Sequence, residues 1–150
     1  MVNLLLDIQE AAKARLETID DFSGVDIFIE EKGDPVSQME QALAKRSLGV
    51  YIATPVLTAK TQDIPGPYFM TIQILVQVYE VTAMNRAKQG SGKTAAFLAL
   101  YASNALHLFH PEGMGGFRIA TGRPAITSSL DGGILIYDVN LETHGGLTTQ

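Results

Sequence analysis

The sequence contains no cysteine among its 150 residues. This absence excludes a thiol nucleophile, a disulfide framework and a zinc site built on cysteine, and it suits a protein that folds in a reducing compartment. A dense cluster of lysine and arginine is also absent, because 11 basic residues are spread among 16 acidic ones, for a net charge of −5. Proteins that bind nucleic-acid backbones tightly need such a cluster, so we expect no tight general binding of DNA or RNA.

Neither a membrane span nor a signal peptide is predicted. The longest uncharged stretch runs from Thr94 to Pro111, and it is too short and too polar to cross a bilayer. The N-terminal segment has no basic residue ahead of its short apolar run and then reaches Asp7 and Glu10, which is not the pattern of a signal peptide. We therefore expect a soluble protein made in the cytoplasm, with no membrane partner.

Motifs that would indicate an enzyme are missing as well. No Gly-x-Ser-x-Gly nucleophile motif occurs, and the acidic residues form no pair suited to acid–base work. His107, His110 and His144 could be imagined around a metal ion, but their spacing matches no metal motif. Two histidines near a helix C-terminus are already favoured by the helix dipole. We expect no enzyme activity, no cofactor and no metal site.

The composition that remains is that of one globular domain. Hydrophobic residues make up 46% of the chain and charged residues 18%, which is typical of folded proteins. A chain of this length buries about 68–70% of the surface that its unfolded form would expose. Because no repeat, low-complexity tract or linker divides it, we predict a single domain over residues 1–150.

The hydrophobic periodicity predicts an α+β domain with the element order α-β-α-β-β-α-β-β. Spacings of three and four between apolar residues, or caps that open a helix, place helices at 3–19, 35–46 and 93–109. Alternation of apolar residues places strands at 25–32, 48–58, 68–81, 117–127 and 133–143.

Three local signals refine this prediction. Asp34 can cap the second helix and Pro35 fits its first position. Pro55 favours an edge, a bulge or an exposed end in the strand at 48–58. Asp131-Gly132 in the connecting segment SSLDGG is a hairpin signal, so the last two strands should be antiparallel neighbours. We therefore predict a mainly antiparallel twisted sheet flanked by helices.

The third predicted helix has no obvious solvent face, because no charged side chain lies between Lys93 and Glu112. The sheet would cover one of its sides, and its second side needs another cover. Either a neighbouring copy of the chain or the first two helices of the same subunit could supply it. Loops at 60–67, 86–92 and 111–116 would then be free to contact partners.

Nine residues of this helix, of the loops and of the predicted edge strand are predicted to face another subunit or a partner: Phe97, Tyr101, Leu108, Pro55, Pro65, Pro67, Arg86, Lys88 and Met114.

The stretch AKQGSGKT, at 87–94, fits a loose form of the phosphate-binding loop. In that alternative, Lys93 would contact the outer phosphates, Thr94 would hold magnesium, and Asp138 would supply the second acidic motif. The context disagrees, because the strand at 68–81 carries polar residues on one face and a phosphate-loop strand is buried on both. The residues after Thr94 also provide only one helix and a hairpin, which is too little for the repeated parallel crossovers of such a fold.

Seven segments share order, length and character with one known family: LLLDIQEAAKARLETI, VDIFIEE, IQILVQVYEV, NRAKQGSG, KTAAFLALYASNALHLF, FRIATGRPAIT and GILIYDVNLET. In this order the chain resembles the tail terminator, or tail completion, proteins of long-tailed bacteriophages and related prophages. The likeness spans nearly the whole chain. That family has no invariant catalytic motif, so no site residue is carried over from it.

The resemblance implies an α+β subunit that assembles into a ring, commonly a hexamer, at the head-proximal end of the virion tail. Such a ring caps the last layer of tail tube protein, ends tube growth and offers a docking surface to the head–tail connector protein. Assembly would take place in the cytoplasm of the host bacterium, without enzyme activity or a cofactor. DNA would pass through the lumen, and the acidic net charge agrees with this because basic walls would hold the phosphates. A head–tail connector adaptor is close in role and stays open as an alternative.

Overall fold

The computed structural model describes residues 4–30, 34–59, 68–83, 94–111 and 115–147. Within these ranges the chain forms one mixed, seven-stranded sheet with helices packed on it. The helices are α1 (Leu4–Glu17), α2 (Pro35–Arg46) and α3 (Ala95–Leu106), with a 3₁₀ turn at Asp20–Phe22. The strands are β1 (Ile27–Ile29), β2 (Leu48–Ile52), β3 (Val56–Ala59), β4 (Tyr68–Val81), β5 (Arg118–Ile119), β6 (Ile126–Asp131) and β7 (Ile134–Leu147). The predicted α+β class is confirmed.

The sheet is built around the long antiparallel pair of β4 and β7, which align from Tyr68 opposite Leu147 to Val81 opposite Ile134. The strand order is β1-β2-β4-β7-β5, with β3 also pairing with β4 and β6 also pairing with β7. Among the described strands only β1 and β2 pair in parallel. The prediction of a mainly antiparallel sheet is therefore confirmed.

One face of the sheet carries the main core. Ile72, Ile74, Val76 and Val78 alternate along β4 and are all buried on this face, as the period of two in the sequence predicted. They share a single cluster with the buried sides of α1 and α3. Burial of each such side chain contributes about 1.5–3 kcal/mol, so this layer is the main source of stability.

The other face of the sheet is only partly covered, and α2 is the helix that lies on it. A side-chain carbon placed on Gly49 would be 2.6 Å from the Met39 sulfur of α2, so the missing side chain lets the helix approach the strand closely. Asp34 caps α2 by accepting hydrogen bonds from the amides of Val36 and Ser37, and Pro35 follows it at the start of the helix. This confirms the predicted helix start.

The strand predicted at 48–58 is instead two strands, β2 and β3. Ile52 lies opposite Val76 and Val56 lies opposite Gln73. The chain therefore advances four residues from Ile52 to Val56 while β4 advances only three. The extra residue is a bulge, where the missing amide hydrogen of Pro55 costs no ladder hydrogen bond. The bulge confirms one of the three predicted possibilities. Pro55 itself is buried, so it does not form an exposed end.

The strand predicted at 117–127 is also divided, into β5 and β6. Gly122 has a φ of +76° and lies in the turn that separates them. The connection to β7 is shorter than predicted, because only Gly132 and Gly133, with φ of +56° and +82°, form the turn. Two positive φ values are the signature of a tight type I′ hairpin. The predicted antiparallel hairpin is confirmed, and Ser128 to Asp131 belong to β6.

Candidate interaction surface

The outward side of α3 is apolar and open to solvent. Its large hydrophobic residues are Phe97, Leu100 and Tyr101, and Leu108 follows just after the helix ends. Phe97 is 54% exposed and Leu108 is 75% exposed. We call these four residues the α3 stripe. The rings of Phe97 and Tyr101 lie 6.5 Å apart, within 23° of parallel. Isolated exposed apolar residues are ordinary, but a contiguous uncharged group marks an interaction site.

The start of α3 is held to the sheet by a buried carboxylate. Glu80, at the end of β4, is buried, and its Oε1 accepts a hydrogen bond of 3.3 Å from the amide of Ala95. A carboxylate at a helix N-terminus is stabilised by the free amides and the helix dipole. Thr94 is the N-cap residue, and its hydroxyl accepts from the amide of Phe97. The direction of the α3 stripe is thus fixed from this end.

The other end of α3 is fixed by the chain that returns from the sheet. The amide of Leu108 donates to the carbonyl of Phe117 at 2.7 Å, and the amide of Phe117 donates to the carbonyl of Phe109 at 2.8 Å. Leu108 has a φ of +64°, a left-handed conformation that disfavours every residue with a side chain except asparagine and aspartate. A large apolar side chain is therefore held in water by a strained backbone.

α1 packs beside α3 on the core face and leaves the α3 stripe open. Arg15 of α1 donates through Nε to the carbonyl of Ala105 at 3.1 Å, and its guanidinium lies 5.3 Å from the centre of the Phe109 ring. The predicted cover by the first two helices is thus only partial: α1 covers one flank of α3, and α2 lies on the opposite face of the sheet.

The residues predicted to face partners are distributed unevenly. Phe97, Tyr101 and Leu108 are all exposed members of the α3 stripe, whereas Pro55 is buried. The remaining predicted residues lie outside the described ranges: Pro65, Pro67, Arg86, Lys88 and Met114.

No protein-family model and no curated protein matches this chain.

The open part of the second sheet face is polar and is linked by hydrogen bonds. Gln77 donates to the Asp138 carboxylate at 2.9 Å, and the Tyr79 hydroxyl donates to Gln77 at 2.7 Å. Burial, and to a lesser degree the charge of Asp138, raise the pKa of Tyr79 above its usual range. These contacts satisfy one another across β4 and β7, which is how a solvated sheet face is stabilised.

On the same face, the imidazole of His144 lies between the hydroxyl of Thr71 and the carboxylate of Glu142. Nδ1 of His144 lies 3.4 Å from the Thr71 hydroxyl, and its Nε2 lies 3.7 Å from Glu142, which also accepts from Thr121. For these side chains to act in nucleophilic catalysis, free backbone amides would also be needed nearby to hold an oxyanion. Thr71 lies mid-strand with β3 on one side and β7 on the other, so the neighbouring amides are engaged in the sheet. This group acts as a cross-strand tie.

A pocket of about 360 Å³ lies between α2 and this face. It is lined by Val36, Met39, Glu40, Leu43, Tyr51, Tyr79 and Ile134. Burial, followed by the hydrogen bond and charge of Glu30, raises the pKa of Tyr51 above its usual range. Both tyrosine hydroxyls already form hydrogen bonds within the chain. The surface that the pocket presents to a ligand is therefore mainly hydrocarbon.

The histidines considered for a metal site are not brought together. Nδ1 of His107 accepts a hydrogen bond from the amide of Ile119, while His144 lies with Thr71 and Glu142. Within the described ranges, no group of three or more metal-ligating side chains occurs. In the same part of the chain, no helix is long and apolar enough to span a bilayer.

Thr94 and Asp138, two residues of the nucleotide alternative, have separate structural roles. Lys93 lies outside the described ranges, Thr94 caps α3, and the Asp138 carboxylate is bonded to Gln77. β4, which precedes the glycine-containing segment, is antiparallel to both β2 and β7. A phosphate-binding loop follows a strand of a parallel sheet instead.

Beyond the α3 stripe, five large apolar residues are exposed that the sequence did not indicate: Leu4, Val36, Val56, Leu57 and Leu130. Leu130 was assigned to a connecting segment rather than to a strand. The Asp-Gly pair that follows it could have corrected this, because a two-residue turn would leave Leu130 inside the hairpin strand. No local signal marks Leu57, whose exposure depends on how the strands are ordered in the sheet.

Proposed function

We propose that this chain is a structural subunit of a long-tailed bacteriophage virion, which assembles with copies of itself into a ring and acts as a tail terminator. The ring, commonly hexameric in the family that the sequence resembles, would cap the tail tube at its head-proximal end and stop its elongation. It would present a surface to the connector protein and let DNA pass without tight binding. A head–tail connector adaptor would use the same surfaces and is the nearest alternative in role.

The α3 stripe is the observation that carries this proposal. It places Phe97 and its apolar neighbours in water on a helix without a charged residue. When a second protein surface removes apolar surface of this kind from water, the complex is stabilised by about 25 cal/mol for each Å² buried. The net charge of −5 supports the same proposal, because a lumen without a basic cluster would not retain DNA.

The strain at Leu108 gives a test that separates folding from assembly. We expect Leu108→Gly to leave the unfolding free energy of the isolated chain unchanged or raise it by up to about 1 kcal/mol, because glycine accepts a positive φ. Assembly should weaken about tenfold or more, because burial of a leucine side chain is worth about 1.5–3 kcal/mol. Urea denaturation and sedimentation measure the two effects.

Ser47→Gly is the matched control, because Ser47 is the other described non-glycine residue with a positive φ, at +62°, and it is buried at the end of α2. This change should leave assembly unaltered. If Leu108→Gly assembles as well as the wild-type chain, Leu108 is not part of the contact.

Electron microscopy of the purified protein tests the ring directly. Closed rings with an open central channel are the expected result. Open filaments, or particles without a channel, would contradict a terminator and a connector adaptor alike.

The nucleotide alternative predicts the opposite behaviour for Lys93. Under the structural proposal, Lys93→Ala should change neither the thermal midpoint nor assembly, and magnesium ATP or GTP should stabilise neither protein. The antiparallel neighbours of β4 and the bonded Asp138 carboxylate support this expectation. A nucleotide-dependent rise in the midpoint that the substitution abolishes would favour a phosphate-binding site.

A further inference from the structure

Four strands have an edge that pairs with no other described strand, β1 and β3 on one side of the sheet and β5 and β6 on the other. β3 and β6 are the longer strand on each side. β6 pairs with β7 and β3 pairs with β4, and no further strand pairs with either one in the described ranges. Leu130 of β6 is 70% exposed and Leu57 of β3 is 41% exposed. Neither strand contains a proline or a lysine, the residues that proteins commonly use to block a free edge. By contrast, Ile27 and Ile29 of the edge strand β1 are buried.

The outward backbone groups of both edges can be identified from two hydrogen bonds. The amide of Asn140 donates to the carbonyl of Ala125, and the β6–β7 register continues from this pair. Because bonded and non-bonded pairs alternate in an antiparallel ladder, Ile126, Ser128 and Leu130 direct their amides and carbonyls away from β7.

The same alternation applies to β3. The amide of Ala53 donates to the carbonyl of Leu75, so Leu75 and every second residue of β4 direct their backbone groups toward β3. Val56 and Thr58 lie opposite Gln73 and Thr71 in this register. Leu57 therefore directs its backbone groups away from β4.

The outward-bonding residues of the two edges have side chains on the same face of the sheet. Leu57 lies opposite Ile72, which is buried on the core face. Ser128 lies opposite Tyr137, which in turn lies opposite Val78 of the same face. Two copies joined through these edges would therefore keep their core faces on one side, as a continuous sheet requires.

The strand directions also agree. β6 and β4 are each antiparallel to β7, so they run the same way, and β3 runs opposite to β4. β6 of one copy would thus meet β3 of another in the antiparallel sense. A contact between two different edges is head-to-tail, and repetition of such a contact closes into a ring when the rotation allows it.

We propose that β6 of each copy pairs with β3 of the next copy, so that one sheet runs on through the assembly. This proposal deepens the self-assembly proposed above and rests on it. The pairing would satisfy the outward groups of Ser128 and Leu57, and it would place the exposed Leu57 and Leu130 side chains against each other on the core face.

Cysteine pairs can test the pairing in a chain that has no cysteine of its own. Leu57→Cys protein is mixed in turn with four single variants, in which cysteine replaces Thr127, Ser128, Ser129 or Leu130, and each mixture is oxidised. We expect disulfide-linked dimers mainly with position 128, which lies opposite Leu57 in the proposed pairing, and a smaller yield with the diagonal position 130. Positions 127 and 129 should give at least tenfold less than position 128, because alternate side chains face opposite sides. Gln41→Cys, on the exposed surface of α2, is the control partner and should give none.

The outcomes separate this proposal from the one that it rests on. Assembly without these dimers, or with equal dimers at all four positions, would overturn the strand pairing and leave the ring intact. A chain that stays monomeric at every concentration would overturn both.

A proline provides a second test that does not depend on oxidation. Ser128→Pro removes an amide that points away from β7, so the hairpin should keep its own hydrogen bonds and its thermal midpoint. Assembly should fall at least tenfold, while Ser128→Thr, which retains the amide, should assemble normally. Normal assembly of a folded Ser128→Pro protein would overturn the pairing, and so would equal loss of assembly in both variants.

Discussion

Phe97→Asp is expected to weaken self-association by at least about a hundredfold while the chain stays folded. Phe97 lies in the first turn of α3, at one end of the α3 stripe, and is 54% exposed, so its replacement removes little from the core of one subunit. In the assembly the new carboxylate would be buried without a partner, at a cost of about 3–5 kcal/mol. Since each 1.4 kcal/mol is a tenfold change, the loss is large enough to be measured by sedimentation.

Gln41→Asp is the control for added charge. Gln41 is exposed on α2, which lies on the opposite face of the sheet from α3, and its replacement should leave association unchanged. If both variants associate like the wild-type chain, the α3 stripe is not a subunit contact. If both lose association, net charge rather than the stripe controls it.

Phe117→Ala is expected to lower the unfolding free energy by about 3–5 kcal/mol, which is a large part of the 5–15 kcal/mol typical of a domain. Phe117 is fully buried, and its ring packs edge-on against Phe109 at a centroid distance of 5.8 Å. Its backbone also bonds to Leu108 and Phe109. The change would leave a cavity beneath the end of α3.

Phe97→Ala is the matched control, since the same side chain is removed from an exposed position. Urea denaturation, at a concentration where the chain is monomeric, should show a loss of less than about 1 kcal/mol for this variant. A similarly small loss for Phe117→Ala would mean that the returning segment does not close the core.

The elements that the sequence predicted well are those whose signals are local. β4 has the bounds predicted for it, because buried and half-buried residues alternate without a break from Thr71 to Val81. The start of α2 was predicted because Asp34 and Pro35 act within one turn of helix. The absence of charged residues in α3 predicted that this helix would have no polar face for solvent. Its exposed side does carry large apolar side chains.

Other features depend on contacts that are distant in the sequence. The division of 48–58 into β2 and β3 follows from the pairing of both strands with β4, and a bulge is defined only by that partner. The positive φ of Leu108 results from the return of Phe117 to the end of α3. The edges of β3 and β6 are open because, among the described strands, β3 pairs only with β4 and β6 pairs only with β7.

The mass of the purified protein in solution tests the central claim most directly. Light scattering over a concentration series, with and without magnesium nucleotide, should show a nucleotide-independent assembly near six times the 16.2 kDa subunit. A closed ring would keep this mass as the concentration rises, because it has no free end to extend. A monomer at all concentrations, or a mass that changes when nucleotide is added, would contradict the account.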